Sequence, residues 1–225
     1  MEMETFEAGG KQADLYRSAE KNSPLILLNS YSDEGASVMQ ALREIGAPDC
    51  SLLVISSLDW DHEMSPWYCP PVMGDGTPFT GGADGHLDLL LTKILPEAVS
   101  MLRDSPRFIG IAGYSLAGLF ALYALYRCDA FDRAASMSGS LWFPDFRDYA
   151  LTHAFPKRPE KIYLSLGDRE AATRNPLLRS VQDNTEQLVS HYRELGLDVT
   201  WELNPGNHFT DPELRTAKGI RAILA

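Results

Sequence analysis

The sequence predicts a single α/β domain in which a mostly parallel sheet carries helices on both faces. The 225 residues are 44% hydrophobic and 23% charged, a composition that can bury one full core. Short runs rich in Ile, Leu and Val alternate with longer segments of helical periodicity. This alternation is typical of parallel strands, because each return to the same edge of the sheet needs a crossover. No internal repeat or linker divides residues 1–225.

The apolar runs predict the strands of this sheet. In chain order they are Leu25–Asn29, Ser51–Ser56, Arg107–Ala112, Arg133–Met137, Lys161–Leu166 and Asp198–Leu203. An N-terminal hairpin is predicted from Glu4–Ala8 and Ala13–Arg17, because the glycine pair at residues 9 and 10 favours a tight turn between them.

Helices are predicted between the strands. They are Gly35–Ile45, Asp84–Arg103, Leu116–Arg127, Pro176–Leu195 and Pro212–Leu224. Gly46 and Gly196 directly follow two of them, as residues that end helices do, and Pro96 should kink or split the second. Two irregular stretches, 59–82 and 139–160, remain, and long loops in a compact α/β domain usually surround the functional site.

Charge and cysteine content exclude several classes of function. Lys+Arg 20 against Asp+Glu 31 gives a net charge of −11, which disfavours nucleic acid and anionic membrane surfaces as partners. Three cysteines without CxxC spacing predict neither a disulfide framework nor a zinc ribbon and suit the cytoplasm. The acidic N-terminal segment lacks a signal-peptide pattern. Residues 108–126 are an uncharged run of 19, interpreted as strand, turn and buried helix rather than a membrane span.

The most informative segment is GYSLAG at residues 113–118, which follows a predicted strand and opens a predicted helix. A serine hydroxyl becomes a nucleophile when it is exposed, aimed and deprotonated by a neighbour. A sharp strand-to-helix turn exposes Ser115, and the small residues Gly113 and Ala117 on either side permit the strained backbone. The helix N-terminus adds a free N–H and a positive dipole end.

A base and an acid follow at two further strand ends. His208 lies between the last strand and the last helix, a placement that suits a general base. Either Asp168 or Glu170 could orient the imidazole, because both lie in the turn after the strand at 161–166. Ser115, an acid and His208 occur in the chain order of the nucleophile-elbow architecture.

These segments resemble the α/β-hydrolase superfamily, specifically the esterases related to catecholate-siderophore (enterobactin-type) esterases and, more distantly, esterase D. The resemblance rests on GYSLAGLFALYAL around Ser115, SGSLWF at 138–143, LGDRE and TRNP within 166–176, NPGNHF at 204–209 and TPFTGGADGHL at 77–87. It implies an α/β-hydrolase fold with a minimal cap, and Glu170 rather than Asp168 as the acid. Some members of this group resemble Ser–His dyads, in which the acid contributes less.

The resemblance also implies the oxyanion hole, while the candidates for substrate contact follow from the residues themselves. The oxyanion hole would pair the backbone N–H of Leu116 with that of Tyr31, with Ser32 as the alternative to Tyr31. Aromatic residues of the irregular stretches could line a substrate wall, and Trp142 is the preferred candidate. Tyr114 and Arg169 are further candidates for substrate contact.

The expected activity is therefore hydrolysis of a small soluble carboxylic ester through an acyl-enzyme, without cofactor. A catalytic metal is not expected, because Asp84 and Asp88 share a helix face while His86 points away, and the acidic run at 59–63 lacks ligand spacing. The alternatives are thioesterase or peptidase activity with the same residues, or a catalytically silent binding protein on this fold. The oligomeric state is not encoded in any pattern of the sequence.

Overall fold

A computed structural model describes residues 2–32, 34–72 and 76–225. In these residues eight strands form one sheet in the order β1-β2-β4-β3-β7-β8-β9-β10. The strands of this sheet are β1 (Glu2–Ala8), β2 (Lys11–Arg17), β3 (Leu25–Asn29), β4 (Ser51–Ser56), β7 (Ile109–Tyr114), β8 (Arg133–Met137), β9 (Lys161–Gly167) and β10 (Asp198–Asn204); the short strands β5 (Tyr68–Cys69) and β6 (Phe79–Thr80) pair separately.

Strand β2 pairs antiparallel with β1 and β4, and every other neighbouring pair of the large sheet is parallel. The predicted mostly parallel sheet is confirmed. The main differences are at strand ends: β7 begins and ends two residues later than predicted, and the hairpin strands extend to Glu2 and Lys11.

Helices cover both faces of the sheet, as predicted. Their bounds are α1 (Gly35–Glu44), α2 (Trp60–Glu63), α3 (Ala83–Leu89), α4 (Leu95–Met101), α5 (Leu116–Arg127), α6 (Phe146–Thr152), α7 (Pro176–Arg179), α8 (Val181–Glu194) and α9 (Pro212–Leu224). Helices α1 and α9 pack with one apolar cluster, and α3 to α6 and α8 pack with the other.

Two of the predicted helices are interrupted, the first of them near Pro96, where the sequence predicted a kink or a split. The segment predicted as 84–103 consists of α3, a π-helical turn at Leu90–Ile94, and α4. Pro96 has no N–H to donate to the preceding turn, so the regular ladder cannot run through it. The segment predicted as 176–195 breaks at Ser180, whose hydroxyl donates to the carbonyl of Leu177 (2.7 Å) and so competes with the helical ladder.

The irregular stretches contain short elements that their composition did not predict: α2, β5 and β6 in the first, and α6 in the second. The uncharged run at 108–126 is a strand, a turn and a buried helix, as predicted. No helix within the described ranges is long and apolar enough to cross a membrane. That residues 1–225 are one domain and that the protein is cytoplasmic stay predictions.

Candidate active site

Ser115 occupies the turn between β7 and α5 in a strained backbone conformation, with φ 59° and ψ −123°. Such a non-glycine conformation costs about 1–3 kcal/mol and turns the side chain outward at the end of the strand. A Cβ on Gly113 would lie 2.2 Å from the backbone of Ala117. Any larger residue at position 113 would collide with the first turn of α5, so only glycine fits two residues before the serine.

Neighbouring strands hold this turn in place. The N–H of Ser115 donates to the carbonyl of Met137 (3.1 Å), and the N–H of Ser140 donates to the carbonyl of Ser115 (2.9 Å). These bonds tie the turn to the end of β8 and the segment after it. The position of the Ser115 hydroxyl is thus fixed by a rigid part of the fold rather than by a free loop.

His208 lies between Ser115 and Glu170. Its Nε2 is 3.1 Å from the Oγ of Ser115, and its Nδ1 is 2.8 Å from the Oε2 of Glu170. The loop that carries the histidine is anchored by Tyr114, whose hydroxyl donates to the carbonyl of His208 (2.8 Å). The structure therefore brings the three predicted catalytic residues together in one hydrogen-bonded chain, in the geometry that a serine, a base and an orienting acid require.

Glu170 is buried, and donors surround its carboxylate. Its Oε1 accepts the N–H of Gly167 (2.5 Å) and the hydroxyl of Ser138 (2.7 Å). Burial alone would raise the pKa of Glu170, but the hydrogen bonds from His208, Gly167 and Ser138 outweigh it and hold the pKa below its usual value. The group therefore remains a carboxylate wherever the histidine can act as a base.

Arg215 completes the surroundings of the acid, and sequence reasoning missed it. Its side chain is 2% exposed, and Nη1 lies 3.3 Å from the Oε1 of Glu170. The guanidinium also donates to the carbonyl of Pro205 (2.9 Å) and the hydroxyl of Tyr114 (3.3 Å). A signal was available, because Arg215 shares the buried stripe of α9 with Gly219, four residues on. A charge on such a stripe needs a partner.

Asp168, the alternative acid, has a different place. Its Oδ1 accepts the N–H of Gly206 (2.8 Å), so it joins the loop after β9 to the loop after β10. It makes no hydrogen bond with His208 within the described part of the chain. Arg169 extends into solvent, with a side chain 73% exposed and 3.9 Å from Asp168. It does not line the cleft, so its placement gives no support to substrate contact.

The predicted oxyanion donors lie near the serine. Leu116 is the first residue of α5, where backbone N–H groups have no partner within the helix. Asn29, at the end of β3, pairs in register with Gly113, so the turn that holds Tyr31 lies next to the serine. Ser32, the alternative, uses its carbonyl to accept the N–H of Glu34 (2.9 Å).

A cleft of about 330 Å³ opens over Ser115. Its lining residues are Leu28, Asn29, Tyr31, Glu34, Trp60, Tyr114, Ser115, His208, Phe209, Pro212 and Thr216. Larger surface grooves of about 490 and 520 Å³ lie elsewhere and contain neither the serine nor the histidine. The cleft at the serine is therefore the candidate substrate site.

The aromatic lining differs from the prediction. Trp142 packs against Phe79 and Phe143, with ring centroids 6.0 and 5.9 Å away, and does not line the cleft. Its placement favours a role in packing rather than substrate contact. Trp60 and Phe209 line the cleft instead. No group of three or more His, Cys, Asp or Glu side chains that could hold a metal ion occurs in the described ranges.

The chain is similar to known proteins in sequence and in fold. Residues 28–197 match a family model described as "Putative esterase". No curated protein matches the chain significantly.

Solved structures of similar fold include the siderophore hydrolase EstA from Aspergillus nidulans, with 22% identity, a TM-score of 0.79, and coverage of 99% of this chain and 94% of that chain. EstB, a siderophore hydrolase from the same organism, has 19% identity, a TM-score of 0.75 and coverage of 97% and 93%. The enterobactin esterase FES from Shigella flexneri has 17% identity and a TM-score of 0.70, with coverage of 98% of this chain and 58% of that chain. The predicted α/β-hydrolase fold is thereby confirmed.

Proposed function

Because the chain belongs to the esterase family whose model it matches, and is a carboxylic ester hydrolase, we propose that Ser115, His208 and Glu170 perform the hydrolysis. One observation supports this assignment most strongly. A single imidazole lies 3.1 Å from a serine hydroxyl on one side and 2.8 Å from a carboxylate on the other. That serine stands at the open end of a strained strand-to-helix turn.

In the first half of the reaction the Oγ of Ser115 attacks the ester carbonyl carbon, and its proton passes to the Nε2 of His208. The carbonyl π pair moves to oxygen and forms a tetrahedral oxyanion. The N–H groups of Leu116 and Tyr31 stabilise this charge, an effect worth about 10²–10³ in rate for each donor. Collapse of the intermediate breaks the bond to the alcohol, which takes the proton from Nε2.

In the second half His208 accepts a proton from water, and the hydroxide formed attacks the acyl-enzyme. A second tetrahedral intermediate collapses, and Ser115 regains its proton from the imidazolium. Glu170 accepts the Nδ1–H of the histidine throughout and so keeps Nε2 free to accept a proton. It also stabilises the imidazolium at each intermediate. Arg215 positions the carboxylate and touches no reacting atom.

The substrate is a small ester that reaches the serine from solvent. Two of the structural relatives are named as siderophore hydrolases, so siderophore esters belong in the first substrate panel beside simple acyl esters. Thioesters and activated amides belong there too, because the same residues can attack them.

Hydrolysis of p-nitrophenyl acetate tests the proposal. Ser115→Ala and His208→Ala should each abolish turnover while circular dichroism shows an unchanged fold. His153→Ala is the matched control, because that histidine is exposed and, among the described residues, its ring bonds only to Tyr149 and Thr152 of the preceding helix α6. Substantial turnover by the Ser115 variant would contradict the mechanism. A folded wild-type protein without turnover on the whole panel would favour a silent binding protein.

A further inference from the structure

One wall of the cleft is an aromatic corner formed by Tyr31 and Trp60. The two rings meet edge to face, with centroids 5.2 Å apart and planes at 87°. Tyr31 is 71% exposed although its ring has this partner. Phe209, 82% exposed, lines the same cleft beside His208. All three residues therefore offer accessible aromatic surface in the lining of the cleft over the serine.

Among the described lining residues one carries a carboxylate. Glu34 lines the same cleft just before α1. The hydroxyls of Ser30 and Ser32 donate to its Oε2 (3.0 Å) and Oε1 (3.2 Å). These bonds orient the carboxylate without neutralising it, and no Lys or Arg of the described ranges forms an ion pair with it.

The charges of the cleft favour a cation. None of its described lining residues is Lys or Arg. The guanidinium of Arg215, behind the site, is buried against Glu170. The net charge of −11 adds a long-range field of the same sign, which attracts cations and repels anions. Aromatic faces together with a carboxylate are the groups that bind ammonium ions in proteins.

We propose that the cleft recognises a compact ammonium group on its substrate, held between the aromatic corner and Glu34. The inference rests on the proposed function only because it makes the ammonium group part of an ester substrate. Binding of the ammonium group itself requires no turnover. Aromatic rings also hold an uncharged group of the same shape by apolar contact, but a charged group gains the cation–π attraction and the attraction of the carboxylate in addition. Discrimination between charged and uncharged groups is thus the property to measure, and Glu34 is the residue expected to supply much of it.

The first test compares two ligands of nearly identical shape on the wild-type protein. Choline and 3,3-dimethyl-1-butanol differ in having nitrogen or carbon at the branched centre, and only choline is charged. Titration followed by proton NMR of the ligand methyl groups should show choline binding about tenfold more tightly, the combined effect of a cation–π contact and a solvent-exposed carboxylate. The preference should fall as salt increases. Equal affinity would overturn the proposal.

The second test removes the charge alone. Glu34→Gln retains an oxygen that can accept a serine hydroxyl but loses the negative charge, so the choline preference should fall about three- to fivefold. Glu44→Gln is the matched control, because Glu44 is an exposed acid at the other end of α1. Trp60→Leu should lower the preference as well. A preference unchanged in both cleft variants would overturn the assignment.

Turnover separates this inference from the proposed function. The kcat/KM for acetylcholine should exceed that for 3,3-dimethylbutyl acetate by about tenfold in the wild-type protein. Equal values would contradict the ammonium site and leave ester hydrolysis by Ser115 intact. Tight, Glu34-dependent choline binding without hydrolysis of any ester would support the ammonium site and contradict the proposed function.

Discussion

Replacing Glu170 with glutamine changes one carboxylate oxygen into an amide nitrogen at nearly constant volume. In the native site the Nδ1–H of His208 donates to Oε2 (2.8 Å), while Oε1 accepts from Gly167 and Ser138. Those two donors require the amide oxygen of glutamine at the Oε1 position. The amide NH₂ must then face His208, whose Nδ1 can only accept from it.

The imidazole in this variant is held with its proton on Nε2, the nitrogen that should accept the proton of Ser115. The equivalent acid-to-amide change in a serine protease lowers kcat about 10⁴-fold through the wrong tautomer, equal to about 5.4 kcal/mol of transition-state stabilisation at 1.36 kcal/mol per factor of ten. We expect a loss of about 10³–10⁴ in kcat for Glu170→Gln. Loss in the Ser115 and His208 variants should be larger.

The assay is steady-state hydrolysis of p-nitrophenyl acetate at pH 7.5, with kcat and KM determined separately. Asp168→Asn is the matched control, because Asp168 is two residues away and bonds to Gly206 rather than to His208. Its kcat should stay within a few-fold of wild type. A kcat for folded Glu170→Gln within tenfold of wild type would refute the reasoning and show that Ser115 and His208 act as a dyad.

Two further predictions concern stability. Arg215→Met leaves the carboxylate of Glu170 buried without its cation and should lower the free energy of unfolding by about 3–5 kcal/mol in urea titrations. The control Arg221→Met, at an exposed position of the same helix, should change the free energy of unfolding little. Equal effects of the two substitutions would contradict the pairing of Arg215 with Glu170. Burial, reinforced by the charge of Lys11, lowers the pKa of His86 to about 3. Between pH 6.5 and pH 3 the unfolded chain therefore binds a proton at this histidine that the native state does not bind. The free energy of unfolding consequently falls as the pH falls through this range. His86→Phe removes this contribution, and its loss of stability from pH 7 to pH 4.5 should be smaller than that of wild type by about 2–3 kcal/mol; an identical loss would contradict a neutral buried histidine.

Local patterns were sufficient for the parts of the fold and site that depend on neighbouring residues. The strand-turn-helix around Ser115 is local, because small residues on both sides of the serine and an apolar run on either flank determine it. The strand ends carrying His208 and the acid could also be placed, since parallel strands bring their carboxyl ends to one edge.

Contacts between distant segments were not readable. Asp168 and Glu170 are equivalent by residue type and spacing, and only the resemblance favoured Glu170; the backbone turn at Gly167 decides which carboxylate faces the histidine. Arg215 lies 45 residues beyond Glu170, and no local pattern joins them. The sequence favoured Trp142 for substrate contact, whereas Trp60 is the tryptophan that lines the cleft; side-chain direction in irregular segments depends on packing partners far away in the chain.

The central claim is that His208 activates Ser115, and covalent labelling tests it most directly. Native protein and the His208→Ala variant would each be treated with a fluorophosphonate and analysed by intact mass, followed by peptide mapping. We expect one adduct on native protein, located at Ser115, and none on the variant over the same time. Absence of an adduct on well-folded native protein, or equal labelling of the variant, would contradict the account.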